Sequence, residues 1–202
     1  MRKENIKLKI ALQSVYNDLV SDSLLVHDRL PIVYQRHSKI TNLLKRSYAT
    51  ESNLDTLGKI MKFEFPVTWY YSPTFNTNSF SNLKSTGAFD ILPLKIKKAL
   101  SNHYTVMATN QDLVEKTLNQ YRNQLDGFIK KYNIIGRLYD KNYINSYLYN
   151  QTWKNIDSKD FTARTAVILT SYNVLYQTAK TELETNQKKV REILPLLQPY
   201  IN

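Results

Sequence analysis

The side chains that could carry out chemistry are few in this sequence, and they form no recognisable catalytic pattern. The three histidines, His27, His37 and His103, are not spaced four residues apart, the spacing that puts two metal ligands on one helical face. Asp18 and Asp22 do share a face, but two carboxylates without a third ligand are usually only hydrated. The sequence has no cysteine and lacks the motifs of serine hydrolases, nucleotide-binding loops and zinc peptidases. We therefore expect no enzyme, no metal site and no cofactor.

Three long apolar series with steps of three and four residues predict three long packed helices. Two of them run from Leu8 to Leu44 and from Phe161 to Leu197. Steps that average about 3.5 residues keep one narrow seam against partner helices over many turns. We expect an all-α fold, an elongated antiparallel bundle of three long helices. The clearest seam consists of Leu100, Tyr104, Met107, Gln111, Val114, Leu118, Tyr121, Leu125, Phe128, Tyr132, Ile135 and Tyr139.

The expected organisation is a single helical-bundle domain over residues 1–202. Its long helices are predicted at about 6–48, 91–140 and 158–194, and an insertion at about 49–90 caps one end of the bundle. Within the insertion, a short helix should end at Gly87 in the left-handed conformation of a C-terminal cap. We expect the second long helix to run opposite to the first and third, because a long loop between parallel neighbours is the costlier topology.

Polar residues interrupt the apolar seams at His37, Gln111 and Asn186. If the second helix runs opposite to the other two, these three residues lie at a similar height on inward faces. They would then form either a buried polar layer that sets the helix register or the lining of a cavity that binds a small ligand. Asp22 is a further interruption, which we expect at the hydrated edge of its seam.

The insertion is rich in aromatic residues. Tryptophan and tyrosine often anchor protein interfaces, so the partner-binding candidates are Trp69, Tyr70, Tyr71 and Phe75. In the alternative interpretation, the aromatic rings pack together as a small satellite core over the end of the bundle.

The chain is basic, with 28 Lys and Arg against 17 Asp and Glu and a net charge of +11. Such a balance is found both on the hydrated outer faces of long helices and in nucleic-acid-binding proteins. Here the basic residues are spread along the chain and lysine predominates, whereas arginine makes the bidentate phosphate and guanine contacts. The composition therefore favours hydrated helix faces over a nucleic-acid partner.

The segment from Ser79 to Tyr104 resembles a characteristic stretch in a family of uncharacterised bacterial single-span membrane proteins with a domain of unknown function. His103 departs from that family's pattern, which has an aromatic residue there. The beginning of the chain, from Arg2 to Leu19, is similar to the segment after that family's membrane helix. The residues that match the characteristic stretch are Leu83, Ser85, Gly87, Phe89, Ile91, Leu100 and Tyr104.

The resemblance implies a domain on the periplasmic side of the bacterial inner membrane, or a cytoplasmic one if Met1 is the native start. We expect a non-catalytic interaction or scaffold domain of a single-span membrane protein, with an unknown protein partner or a second copy of the chain. One alternative is a ligand-sensing helical bundle with a core cavity near His37. A second alternative is a basic nucleic-acid-binding protein.

Overall fold

The computed structural model of the chain describes residues 2–50, 52–66, 70, 72–132, 147–154 and 156–201. All regular secondary structure in these ranges is helical, which confirms the predicted all-α fold. The elements are α1 (Arg2–Ser47), α2 (Leu54–Lys59), a π-helix (Ile60–Glu64), α3 (Asn78–Ser85), α4 (Leu94–Tyr132), α5 (Tyr147–Lys154) and α6 (Ser158–Ile201).

The described residues form two compact units. Unit 1 takes its residues from 1–33, 72–114 and 179–202, and unit 2 takes its residues from 34–71 and 115–178. The three long helices, α1, α4 and α6, each contribute to both units. The predicted insertion also contributes to both, with its first part in unit 2 and its last part in unit 1.

The predicted seams are the buried faces of the long helices. Every described member of the α4 seam is buried except Gln111, which is partly exposed, and Ile135 and Tyr139 lie outside the described residues. The helix α6 continues past Pro195 to Ile201, beyond the predicted end at about 194, because Leu197 and Ile201 still bury their side chains. All positions of the α6 seam are buried, namely Phe161, Thr165, Ile168, Tyr172, Leu175, Ala179, Leu183, Asn186, Val190, Ile193 and Leu197.

In unit 2, the contacts between α1 and α6 show that these helices are antiparallel. The Thr41 hydroxyl donates a hydrogen bond to the Asn173 side chain over 3.0 Å. The Tyr48 hydroxyl, directly after the end of α1, lies 2.9 Å from the Thr170 hydroxyl. Residue numbers therefore rise along α1 as they fall along α6.

In the same unit, α4 is also antiparallel to α6. The rings of Tyr121 and Tyr172 stack with centroids 4.7 Å apart, and those of Phe128 and Phe161 lie 5.8 Å apart. Because α1 and α4 both oppose α6, α4 runs parallel to α1, whereas we expected it to run opposite to α1. A long insertion joins α1 to α4, and a connection of that length permits parallel neighbours in a bundle.

The helix α3 ends in the predicted cap. Gly87 has a φ of 74°, the left-handed conformation that a residue without a Cβ adopts most easily. Its backbone N–H donates to the Lys84 carbonyl over 3.1 Å, and the Phe89 N–H donates to the Leu83 carbonyl over 3.0 Å. These bonds satisfy carbonyl groups that the end of the helix would otherwise leave open, so the chain turns here towards α4.

Candidate functional site

A segment of unit 1 without regular secondary structure, Ser72–Asn76, contacts the three long helices, and we call it the strap. Asp22 of α1 holds one end of the strap. Its carboxylate accepts hydrogen bonds from the Asn76 backbone N–H at 3.1 and 3.2 Å and from the Asn76 side-chain amide at 2.7 Å. Asp22 is fully buried, so our expectation of a hydrated position at the seam edge was wrong. The strap removes this carboxylate from water and supplies hydrogen bonds in its place.

The other two long helices hold the rest of the strap with polar side chains of their own. The Gln111 amide of α4 donates to the Pro73 carbonyl over 3.3 Å. The Ser72 hydroxyl donates to a carboxylate oxygen of Glu182 of α6 over 3.2 Å. Each long helix therefore supplies one polar side chain that binds the strap.

A small polar pocket lies between α4, α6 and the strap in unit 1. Its lining includes His103, Phe75, Asn186 and Lys189, and its volume is about 10 Å³. The His103 Nε2 atom and both amide atoms of Asn186 are buried and have no hydrogen-bond partner among the described residues. A cavity of this size has room for about one water molecule, which could bridge these groups. It is too small for an organic ligand.

The ionisation of two buried groups in unit 1 follows from their surroundings. Burial raises the pKa of Asp22 from 3.8 to about 6, although the hydrogen bonds from Asn76 oppose this change. Burial and the nearby Lys189 charge lower the pKa of His103 from 6.5 to about 4. His103 is therefore neutral at pH 7, while Asp22 keeps most of its charge in an environment that disfavours it.

The structure separates the residues of the predicted polar layer. Gln111 binds the strap and Asn186 lines the small pocket, both in unit 1, whereas His37 is partly exposed in unit 2. The predicted common height assumed that the second helix opposes the first, and α4 does not. His103 and Glu182 were not identified from the sequence as site residues. Each directly precedes a seam residue, and the spacing of three and four residues identifies only the seam positions.

Two of the predicted partner-binding residues are buried within their own units. Tyr70 packs edge-on against Tyr176 in unit 2, with ring centroids 5.7 Å apart, and Phe75 lines the small pocket of unit 1. Trp69 and Tyr71 lie outside the described residues. Tyr70 and Phe75 therefore contribute to the interior, as in the alternative interpretation, whereas Trp69 and Tyr71 stay predictions.

In unit 1, charges on one long helix shift the pKa of side chains on another, which shows that these residues are near one another. The carboxylates of Asp22 and Asp18 on α1 help to raise the pKa of Tyr104 on α4. The Lys189 charge on α6 helps to lower the pKa of the neighbouring His103. These residues therefore lie near one another in unit 1. The start of α1, the start of α4 and the end of α6 all belong to unit 1.

The starts of α1 and of α4, both in unit 1, combine large exposed apolar residues with lysines, and we call these residues the basic apolar end. Its isoleucine and leucine side chains are 53 to 65% exposed, and its lysine side chains are exposed as well. These apolar and lysine side chains are exposed and do not form part of the buried core of unit 1. The basic apolar end consists of Ile6, Lys7, Lys9, Ile10, Ile91, Leu94, Lys95 and Lys98.

Among the described residues, no group of three or more histidine, aspartate or glutamate side chains is placed to hold a metal ion. No helix in the described part of the chain is long and apolar enough to span a membrane. Comparison with protein-family models, curated proteins and solved structures finds no match for this chain. A functional proposal therefore depends on the surfaces of the chain itself.

Proposed function

We propose that this chain is a non-catalytic interaction domain that works at an anionic membrane surface and contacts it through the basic apolar end of unit 1. The observation that supports the proposal is the mixture of exposed isoleucine, leucine and lysine side chains at that end. Apolar side chains enter the boundary between headgroups and acyl chains, and each lysine near an anionic bilayer adds about 1 kcal/mol of attraction.

The same surface favours a membrane over a nucleic acid. Exposed residues such as Ile91 and Leu94 gain nothing from a phosphate backbone, whereas they gain free energy when a bilayer removes them from water. The lysines suit diffuse attraction to headgroups, because they act as point charges without the bidentate geometry of arginine.

The sequence resemblance supports the same orientation. In the resembled family, a membrane helix precedes the segment that corresponds to the start of α1, and α1 begins at the basic apolar end. A periplasmic scaffold domain of a single-span protein would present this end to the bilayer. The rest of the domain would then be available to a protein partner or a second copy of the chain. The anchor, the location and the partner are all parts of this proposal.

Vesicle flotation tests the proposal directly. We expect the chain to float with vesicles of phosphatidylcholine and phosphatidylglycerol, to float less with phosphatidylcholine alone, and to dissociate at high salt because salt screens the lysine charges. The double substitution Ile91→Ser with Leu94→Ser should remove most of the binding. The double substitution Lys95→Glu with Lys98→Glu should remove the preference for the anionic lipid.

Matched control variants change the same residue types elsewhere. Leu113→Ser with Val174→Ser removes two exposed apolar side chains, and Lys39→Glu with Lys45→Glu reverses two exposed charges. Both controls should float as the unsubstituted chain does. The proposal is wrong if the controls lose as much binding as the test variants, if no vesicle is bound, or if a DNA duplex competes the chain away from the vesicles.

A further inference from the structure

A half-open groove in unit 2 lies between the α2 and π-helix segment on one side and the end of α5 with the start of α6 on the other. Its volume is about 320 Å³, at the lower end of the range of about 300–1,000 Å³ in which small-molecule sites fall. Aromatic rings and lysine side chains from both segments line it. The residues that matter here are Gly58, Lys62, Phe63, Trp153, Lys154 and Phe161.

Among the described residues that line the groove, basic side chains outnumber acidic ones. They are Lys59, Lys62 and Lys154 against Asp55. The Lys62 ammonium lies 4.4 Å from the centre of the Trp153 ring, a cation–π distance. Burial lowers the pKa of Lys62, and Asp55 opposes this change. An anion in the groove would therefore stabilise a partly desolvated positive charge.

The backbone that carries one wall of the groove is unusual. The Phe65 N–H donates to the Ile60 carbonyl over 2.7 Å, the five-residue step that defines a π-helix. Ile60 and Met61 are buried on one side of this turn, while Lys62 and the exposed Phe63 line the groove. Single π-helical turns are rare and occur frequently at functional sites.

We propose that this groove binds a small organic anion, namely a carboxylate or phosphate group carried on an aromatic or short acyl body. The lysines receive the anionic group, and the body packs against Trp153 and Phe63. The groove belongs to unit 2 and the basic apolar end belongs to unit 1, so this inference does not depend on the proposed function.

The sequence offers a specific reporter for the groove, because it contains two tryptophans, Trp69 and Trp153. In a Trp69→Phe background, the indole N–H of Trp153 gives a single signal in a nitrogen-15 NMR spectrum. The probes are naphthalene-1-carboxylate, the uncharged naphthalene-1-carboxamide and inorganic phosphate. Calorimetric titration of the unsubstituted chain repeats the comparison without the tryptophan substitution.

We expect naphthalene-1-carboxylate to shift the Trp153 signal saturably. The carboxamide should bind about tenfold more weakly, because it lacks the charge-assisted hydrogen bonds to lysine. Phosphate alone should leave the signal in place, since it has no apolar body. Equal binding of carboxylate and carboxamide, or binding of phosphate as tight as that of the carboxylate, overturns the proposal.

Two variants test the groove without loss of the fold. Lys62→Met with Lys154→Met removes two of the three lysine charges and keeps side chains of similar length, and should weaken carboxylate binding about tenfold. Gly58→Leu should block the groove, because a Cβ at Gly58 meets no atom within 4 Å and the added side chain extends into open space. Its stability should not fall, since glycine is a poor residue within a helix.

The matched controls are Gly58→Ala and the pair Lys39→Met with Lys45→Met. Gly58→Ala adds only a methyl group, and the two lysines of α1 are not among the described residues that line the groove. Both should bind the carboxylate within about twofold of the unsubstituted chain, because neither removes a contact or fills the groove. If Gly58→Leu is stably folded and binds the carboxylate unchanged, the groove is not the site and the proposal is wrong.

Discussion

The Asp22 carboxylate of α1 accepts hydrogen bonds from both the backbone amide and the side-chain amide of Asn76 in the strap, at 2.7 to 3.2 Å. These two residues are far apart in the sequence, and their contact closes unit 1 over a fully buried acidic group. The hydrogen bonds stabilise the charged carboxylate, and burial destabilises it more strongly. The stability of the chain should therefore respond to the ionisation of this one group.

The substitution Asp22→Asn should stabilise the chain at neutral pH. The folded-state pKa of Asp22 is about 6, above its ordinary value of 3.8, so its contribution to stability is present in full below pH 3.8 and is lost as the pH rises through 6. The loss amounts to about 3 kcal/mol in the free energy of unfolding. Asparagine cannot ionise and still accepts a hydrogen bond from Asn76. Urea unfolding across this pH range should show a stabilisation that grows with pH, and a constant difference from the unsubstituted chain would contradict the prediction.

The substitution His103→Phe should have the opposite effect on the pH profile. The folded-state pKa of His103 is about 4, below its ordinary value of 6.5, so its contribution is present in full above pH 6.5 and is lost as the pH falls through 4. This loss is also about 3 kcal/mol. Between the two folded-state values, Asp22 and His103 give opposing slopes that nearly cancel. Relative to the unsubstituted chain, the stability of His103→Phe should rise as the pH falls, and that of the double variant with Asp22→Asn should change little.

Two buried tyrosines of α4 should respond differently to the loss of the hydroxyl group. The Tyr132 hydroxyl donates to the Asp160 carboxylate over 2.6 Å, whereas the buried Tyr121 hydroxyl has no hydrogen-bond partner in the described part of the chain. Tyr132→Phe should lower the free energy of unfolding by about 1–2 kcal/mol, and Tyr121→Phe should leave it unchanged or raise it by up to about 1 kcal/mol. Chemical denaturation at neutral pH measures both. If both variants lost the same free energy of unfolding, the hydrogen-bond partner of the hydroxyl group would not explain the effect of its removal.

Substitution of two glycines by alanine should show how backbone conformation affects stability where the added methyl group has room in both cases. A Cβ at Gly87 or at Gly58 meets no atom within 4 Å, but Gly87 has a φ of 74° and Gly58 lies within α2. Gly87→Ala should destabilise the chain by about 1 kcal/mol because an L-residue is strained in the left-handed region. Gly58→Ala should stabilise it by up to about 1 kcal/mol because alanine favours the helix. Thermal unfolding of both variants should move the midpoint in opposite directions, and a shift in the same direction would contradict this interpretation.

Much of the fold could be predicted from the sequence because the information is local. The three seams lie on helices, and the described positions are mostly buried, including all those of α6. The cap at Gly87 was predictable for the same reason, since its conformation depends on the end of one short helix. The direction of α4 was not predictable in this way. The seam of α4 can face the same partner helices whether α4 runs parallel or antiparallel to α1. The long insertion between α1 and α4 permits the parallel arrangement.

The site was predictable only in part. The polar interruptions Asp22, Gln111 and Asn186 were visible as breaks in apolar seams, but nothing near them in the sequence indicates the strap that covers Asp22 and Gln111. The aromatic residues Tyr70 and Phe75 were visible as a cluster, but composition does not distinguish an exposed ring from a buried one. Both outcomes depend on contacts between distant segments.

Which residues form helices, and which face of each helix avoids water, can be read from the sequence because helical periodicity depends on neighbouring residues. What each polar residue binds, and which apolar residues stay exposed, depends on how distant segments pack together. The strap, the basic apolar end and the groove beside Trp153 are all assembled from segments that are distant in the chain. Such surfaces depend on the directions in which the helices run and on which helices pack together. The pattern of apolar residues along the sequence is compatible with more than one such arrangement.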